Sequence, residues 1–273
     1  MIGAVAGDTI GSSYEFNNTK DYNFRLFDSE SWYTDDTICT MAVAKWLLED
    51  KKRSLKRLDA IMTDVCRNNR TPMGGYGEMF YFWVFDDDRH HPYNSWGNGS
   101  AMRASACGWV ADTLEETERI AETSAAITHN HPEGIKGAQA TAAVIFMART
   151  GRSKDEIRKY ITKRFGYDLD HTWKEIQPGY EWDSSCQGTV PQAIICFLDS
   201  TGFEDAIRKA VSMGGDSDTL ACICGGMAEA YYKEIPEGIR KTVWGKLPDR
   251  FKDIVRRFAA ASHYRDVFDG YGI

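Results

Sequence analysis

The 273-residue sequence predicts an all-α fold, a bundle of helices joined by long irregular segments. Three observations carry that prediction. Apolar residues recur with helical period along most of the chain, strand-type alternation is scarce, and Gly3, Gly7 and Gly11 repeat every four residues. That glycine spacing lines one helix face with hydrogen atoms, so a second backbone can approach it closely.

After the glycine helix, apolar spacing, caps or terminal breakers mark helices over residues 38–49, 54–68, 114–127, 134–149, 154–165, 191–198, 203–212, 219–233 and 236–247. Ser153 with Glu156 three residues on forms a capping box, and Pro191 suits a first helical turn. Segments 16–33 and 69–95 read as irregular and are expected to carry function over the surface of the bundle. Ala221, Gly225 and Ala228 make a second small-residue face. Packing it on the glycine face would join the two ends of the chain and bring Asp8 and Glu15 toward Asp216 and Asp218.

With 42% hydrophobic residues the chain can bury a sizeable core, and no linker or low-complexity run divides it, so residues 1–273 read as one domain. A net charge of -7 offers no broad attraction to nucleic acid or anionic membrane. Any phosphate-bearing ligand must therefore be held locally. No apolar run is long enough to span a bilayer, and the stretch Met1 to Ile10 contains Asp8 and lacks the basic flank of a signal peptide. The seven cysteines are odd in number, mostly in apolar stretches and without CxxC spacing, as expected of reduced core residues in a soluble cytoplasmic protein.

Chemistry concentrates in two acidic clusters, Thr34-Asp35-Asp36-Thr37 and Asp216-Ser217-Asp218-Thr219. Each precedes a helical pattern, so each can act as an N-cap favoured by the helix dipole. A cap needs one side-chain oxygen, and each cluster supplies two carboxylates plus hydroxyls. Crowded carboxylates must take up protons or cations, and oxygen-only donors favour Mg²⁺, Mn²⁺ or Ca²⁺ over Zn²⁺. Gly214-Gly215 lets the backbone turn sharply before the second cluster.

Two further segments stand out: Gly97-Asn98-Gly99-Ser100-Ala101-Met102-Arg103, with glycines where amides can face a ligand, and Thr128-His129-Asn130-His131-Pro132. Together with the two acidic clusters and the segment Gly7 to Glu15, in this order, they closely resemble the ADP-ribosylglycohydrolase family. The resemblance runs from Gly3 to about Tyr232. It implies an orthogonally packed all-helical domain with a binuclear Mg²⁺ (or Mn²⁺) centre that hydrolyses the glycosidic bond between ADP-ribose and an acceptor. It further implies Thr34, Asp35 and Asp36 as ligands of one ion and Asp216, Asp218 and Thr219 as ligands of the other, with Asp218 as the bridge. Glu15 takes the place of the family's mobile glutamate, and the catalytic assignment falls on Glu15, Asp35 and Asp36. Ser95, Trp96, Asn98 and Gly99 match the segment around ribose and adenine, His129 matches a ligand-contacting histidine, and Gly75-Tyr76-Gly77 resembles a phosphate loop.

The chemistry of these residues agrees. An oxocarbenium-like transition state gains from oriented ribose hydroxyls, carboxylate charge near C1 and an activated water. Pyrophosphate can be held by helix N-terminal amides and glycine nests, and adenine by the face of Trp96 or Tyr76. Plain structural roles stand beside these: Trp96 and Tyr76 as core or loop anchors, His129 as a helix-end hydrogen-bonding group, His131 as a turn residue, Asn98 as a cap. Arg103 is expected in a buried ion pair, Cys186 is not read as a nucleophile, and Asp86-Asp87-Asp88 reads as a solvated turn. Two rival functions remain, a silent ADP-ribose-binding protein and a two-metal phosphoesterase. Partners are ADP-ribose and ADP-ribosylated substrates, with nucleic acid entering only as a modified acceptor and no membrane. The acceptor itself stays open, because the loops match no single branch of the family.

Overall fold

The computed structural model describes residues 1–273 and contains helices but no strand, only the isolated bridges Thr34–Met73 and Gly97–Ser185. At its centre the glycine helix Ile2–Gly11 lies against the helix Ser217–Tyr232. A Cβ added at Gly3 would run into the Gly225 carbonyl, at Gly7 into the Ala221 carbonyl and at Gly11 into the Asp218 backbone. The two small-residue faces therefore meet. Every residue of Ile2–Gly11 is buried, so a side chain on that face would have nowhere to turn.

The helices Pro132–Arg149, Cys186–Leu198 and Phe203–Ser212 pack around Ser217–Tyr232, and one contiguous apolar core of 80 buried residues runs from Met1 to Tyr271. No helix is long and apolar enough to cross a membrane.

Most boundaries follow from local chemistry. Ser153 and Glu156 form the expected capping box, and that helix, Lys154–Phe165, ends at Gly166 in the left-handed region (φ 72°). Both acidic clusters begin helices, at Asp35 and at Ser217. Pro191 is a correction: the helix begins at Cys186, capped by the Ser185 side chain accepting from the Gly188 N–H, so the proline lies inside it. There it removes one ladder donor and is buried.

Besides short helices such as Cys107–Val110, Trp173–Ile176 and Arg265–Asp269, two longer ones fall outside the predicted set. Glu78–Phe85 lies within the segment read as irregular, because Met-Phe-Tyr-Phe-Trp-Val-Phe is apolar on every side and shows no period. Asp249–Ala260 lies beyond the last predicted helix, although its buried Phe251, Ile254, Val255 and Phe258 follow helical spacing.

Candidate active site

The site is organised from Asp8, on the glycine helix. Its carboxylate accepts from the Thr34 backbone N–H (3.0 Å), the Thr34 hydroxyl (2.8 Å), the Thr37 N–H (3.0 Å) and the Thr37 hydroxyl. It thereby fixes the start of the helix Asp35–Glu49 against Ile2–Gly11. Burial pushes the Asp8 carboxyl up to about 6, against the pull of those threonine bonds.

The second cluster enters from the other half of the helix pair. Thr219 Oγ1 donates to Asp36 Oδ2 at 3.3 Å, and Asn98 Nδ2 donates to Asp216 Oδ2 at 2.7 Å. One carboxylate oxygen from each of Glu15, Asp216 and Asp218 lies within 4.8 Å of the others. Burial first, and neighbouring carboxylates second, hold Asp35, Asp36 and Asp218 well above the usual carboxylate range. Burial, then Asp216 and Asp8, pushes Glu15 up to about 7. Asp36 Oδ1 and Asp218 Oδ1 are buried with no hydrogen-bond partner at all.

These groups open into a cavity of about 430 Å³, within the range of small-molecule sites. Its wall contains Glu15, Asp35, Asp36, Gly75, Tyr76, Gly77, Ser95, Asn98, Gly99, His129, Asp216, Asp218 and Thr219. Segments separated by up to two hundred residues thus share one wall. His129 is buried, and burial together with Arg103 holds it well below the usual imidazole range, so the ring is neutral. Its Nδ1 meets Thr128 Oγ1 at 2.7 Å, and a Cβ at Gly99 would lie 3.1 Å from its Nε2. Glycine at 99 lets the ring approach the backbone that opens the short helix Gly99–Met102. Tyr76 donates to the Asn69 carbonyl (2.8 Å) and packs on Phe80, which anchors the Gly74–Gly77 loop.

Two predicted residues lie outside that wall. Thr34 is buried with its hydroxyl on Asp8 and accepts from the Asp36 N–H at 3.3 Å. Trp96 is 52% exposed and packs edge-on against His131, because the Cys186 N–H pins the Trp96 carbonyl (2.8 Å) and the ring turns outward. His131 itself caps Pro132–Arg149 by accepting from the Glu133 N–H. Arg103 is another correction: it is buried at the cavity, but it donates to the Ser124 carbonyl (2.9 Å) and Thr128 Oγ1 (2.8 Å), with no carboxylate partner.

The wall also holds aromatics that sequence reasoning missed. Phe16 and Trp182 stack across its mouth with centroids 6.0 Å apart and planes 16° from parallel, and Tyr93 lies deeper. Phe16 is 74% exposed and Trp182 48%, so both rings present apolar surface at the cavity. The only sequence signal was the position of Phe16 next to Glu15. Nothing in spacing links residue 16 to residue 182.

The family model described as ADP-ribosylglycohydrolase matches residues 1–266. The chain belongs to the ADP-ribosylglycohydrolase family. Membership places it among glycosidase-type hydrolases. It is 26% identical over 321 residues to the human ADP-ribosylhydrolase ARH3, a match covering 90% of this chain and 88% of the relative. It is 24% identical over 284 residues to the ADP-ribosylarginine hydrolase Tri1 of Pseudomonas putida (strain GB-1), covering 90% and 74%. A solved structure titled ADP-ribosylglycohydrolase-related protein complex superposes with a TM-score of 0.70 at 20% identity, covering 95% of both chains, which supports the fold.

For this ADP-ribosylglycohydrolase, the donor chemistry fits a hard divalent cation. The converging groups are carboxylates and hydroxyls, and none of Glu15, Asp35, Asp36, Asp216 and Asp218 forms an ion pair with a lysine or arginine. Two of their oxygens are buried without a partner, a state that a cation relieves.

Proposed function

We propose that this chain, acting as a single domain, hydrolyses the glycosidic bond joining ADP-ribose to an acceptor, with two Mg²⁺ or Mn²⁺ ions. The observation that carries this reading is the meeting of two oxygen-rich clusters from opposite ends of the chain, with unpartnered Asp36 Oδ1 and Asp218 Oδ1 between them. Asp35 and Asp36 would hold one ion, Asp216, Asp218 and Thr219 the other. Thr34 joins the first set when its hydroxyl turns away from Asp8. The ions supply positive charge that orients ribose hydroxyls and lowers the pKa of a water.

The chain's own groups do the rest. Glu15, held near neutrality by burial and its acidic neighbours, can take or give a proton in the working pH range. Its charge near C1 would also favour an oxocarbenium-like state. Asn98 holds Asp216 by a direct hydrogen bond, and neutral His129 meets the ligand as a hydrogen-bonding ring without adding charge. The Gly75-Tyr76-Gly77 loop and the amides at Gly99 can receive the pyrophosphate. Phe16 and Trp182 offer the cavity an aromatic surface, whereas Trp96 would have to turn from His131 to face adenine. All seven cysteines are free and buried, which suits a reducing compartment such as the cytoplasm.

The test is incubation with substrates ADP-ribosylated on Arg, Ser, Asp/Glu and nucleic acid, each with Mg²⁺ or with chelator. Release of free ADP-ribose with Mg²⁺ only is the expected result, and the substrate that reacts identifies the acceptor. No product on any substrate, with ADP-ribose still bound, would leave a binding protein. A phosphate-cleaved nucleotide would make it a phosphoesterase.

A further inference from the structure

The Glu15 carboxylate receives no hydrogen bond from the protein; only burial and neighbouring acids act on it. Its location therefore depends on the backbone turn that carries it. That turn follows the short 3-10 segment Ser12–Tyr14 and ends in an exposed asparagine. Asn18 Nδ2 donates to the Tyr14 carbonyl (2.7 Å), the Glu15 carbonyl (2.8 Å) and the Gly215 carbonyl (2.9 Å). In return Asn18 Oδ1 accepts from the Gly215 N–H at 2.7 Å.

Both polar atoms of this side chain are thus used, with two contacts on the backbone of Tyr14 and Glu15 and two on Gly215, the residue before Asp216. Gly214 and Gly215 both have left-handed backbone (φ 79° and 72°), a corner that side chains resist. In that corner Gly215 turns both its N–H and its carbonyl toward Asn18. Ser217 Oγ reaches the Tyr14 carbonyl only at 3.3 Å, so Asn18 is the tighter tie.

The geometry points to Asn18 as a positioning residue that sets the Glu15 carboxylate against Asp216 by lashing its turn to the Gly214–Gly215 corner. This rests on the reading of Glu15 as the working acid or base of the site. Asn18 does not itself line the cavity and reaches it only through backbone, that of Glu15 on one side and that of Gly215, next to Asp216, on the other. Because Asn18 is exposed, its removal opens no cavity and leaves the core intact.

A double-mutant cycle tests it. Asn18→Ala is expected to lower kcat by about tenfold to a hundredfold, the scale of a misplaced reacting group, with KM within a few-fold. Asn18→Ser, too short to bridge both partners, should repeat that loss. Added to Glu15→Gln, Asn18→Ala should lower kcat no further, because the group it positions is already disabled. Equal fold-losses in both backgrounds would overturn the proposal. An activity-independent arm follows the Gly215 amide by hydrogen exchange: it should exchange faster in Asn18→Ala, while the Leu220 amide, bonded to the Asp216 carbonyl, stays unchanged. Should the wild type release no ADP-ribose from any substrate, the function reading fails and this arm alone decides the tie. Faster Gly215 exchange upholds it, and unchanged exchange overturns it.

Discussion

The helices Ile2–Gly11 and Ser217–Tyr232 bury carboxylates at both ends of their contact, and the two ends treat them in opposite ways. At one end Glu229 is fully buried and saturated: it accepts from the Gly3 N–H (2.9 Å), Tyr264 OH (2.6 Å) and Tyr271 OH (3.0 Å), and pairs with the Met1 amino group. At the other end Glu15, Asp35, Asp36, Asp216 and Asp218 crowd one cavity, and two of their buried oxygens have no partner. A carboxylate that holds the fold together is surrounded by donors, because a lone buried charge is costly. A set left short of donors is stable only with protons or cations in place, which is the condition expected of a ligand site.

The contrast can be broken at either end. The largest effect belongs to the acidic end: Asp36→Ala and Asp218→Ala should each abolish metal-dependent release of ADP-ribose, while circular dichroism and the melting temperature without metal stay the same or rise, since one repelling charge is gone. Normal turnover in either variant, with the fold intact, would remove the site from the reaction.

At the opposite end Glu229→Ala should cost roughly 3 to 5 kcal/mol of stability, the scale of breaking a buried pair, as read from urea denaturation. An unchanged urea midpoint would show that Glu229 is not the anchor its hydrogen bonds suggest.

Metal sharpens the difference. Mg²⁺ at a hundred times its Kd should stabilise the wild type by about 2.7 kcal/mol and Glu229→Ala by the same increment, but Asp218→Ala far less. Equal stabilisation of all three would place the ion elsewhere.

The last contrast is in pH. Glu15 is raised to about 7 from an ordinary 4.5, and Asp8 to about 6, and Asp35, Asp36 and Asp218 are raised as well. Above pH 4.5 these acids therefore bind more protons in the folded protein without metal than in the unfolded chain, against the one proton that buried His129 gives up. Stability must then fall as pH rises through neutrality. Melting curves in chelator from pH 5 to 8 should show this decline, and saturating Mg²⁺ should abolish or reverse it. A chelated protein that gains stability over the same interval would mean that the acids are already paired.

The sequence reached far into this fold where the signal is short in range. The four-residue repeat of Gly3, Gly7 and Gly11, the small face of Ala221 and Gly225, and the two acidic helix starts are each local patterns. Each has one economical use, so the meeting of the chain's ends and the approach of Glu15 to Asp216 and Asp218 were legible before any coordinates. Glu78–Phe85 was not, because the seven residues after Glu78 are apolar on all sides and carry no period to read.

What only the tertiary structure decided is how each polar atom is spent. Whether Asp36 Oδ1 finds a donor, whether Arg103 meets an acid or a helix end, whether Trp96 turns into the cavity or onto His131, and which loop supplies the ring opposite Phe16 all depend on packing between distant segments. Asn18 is the clearest case: by sequence it is one more polar loop residue, and two of its four bonds exist only because Gly215, 197 positions away, presents its backbone there. Periodicity and capping are properties of neighbours along the chain. Hydrogen-bond saturation belongs to neighbours in space, and a single residue type is compatible with many such neighbourhoods until the core has closed.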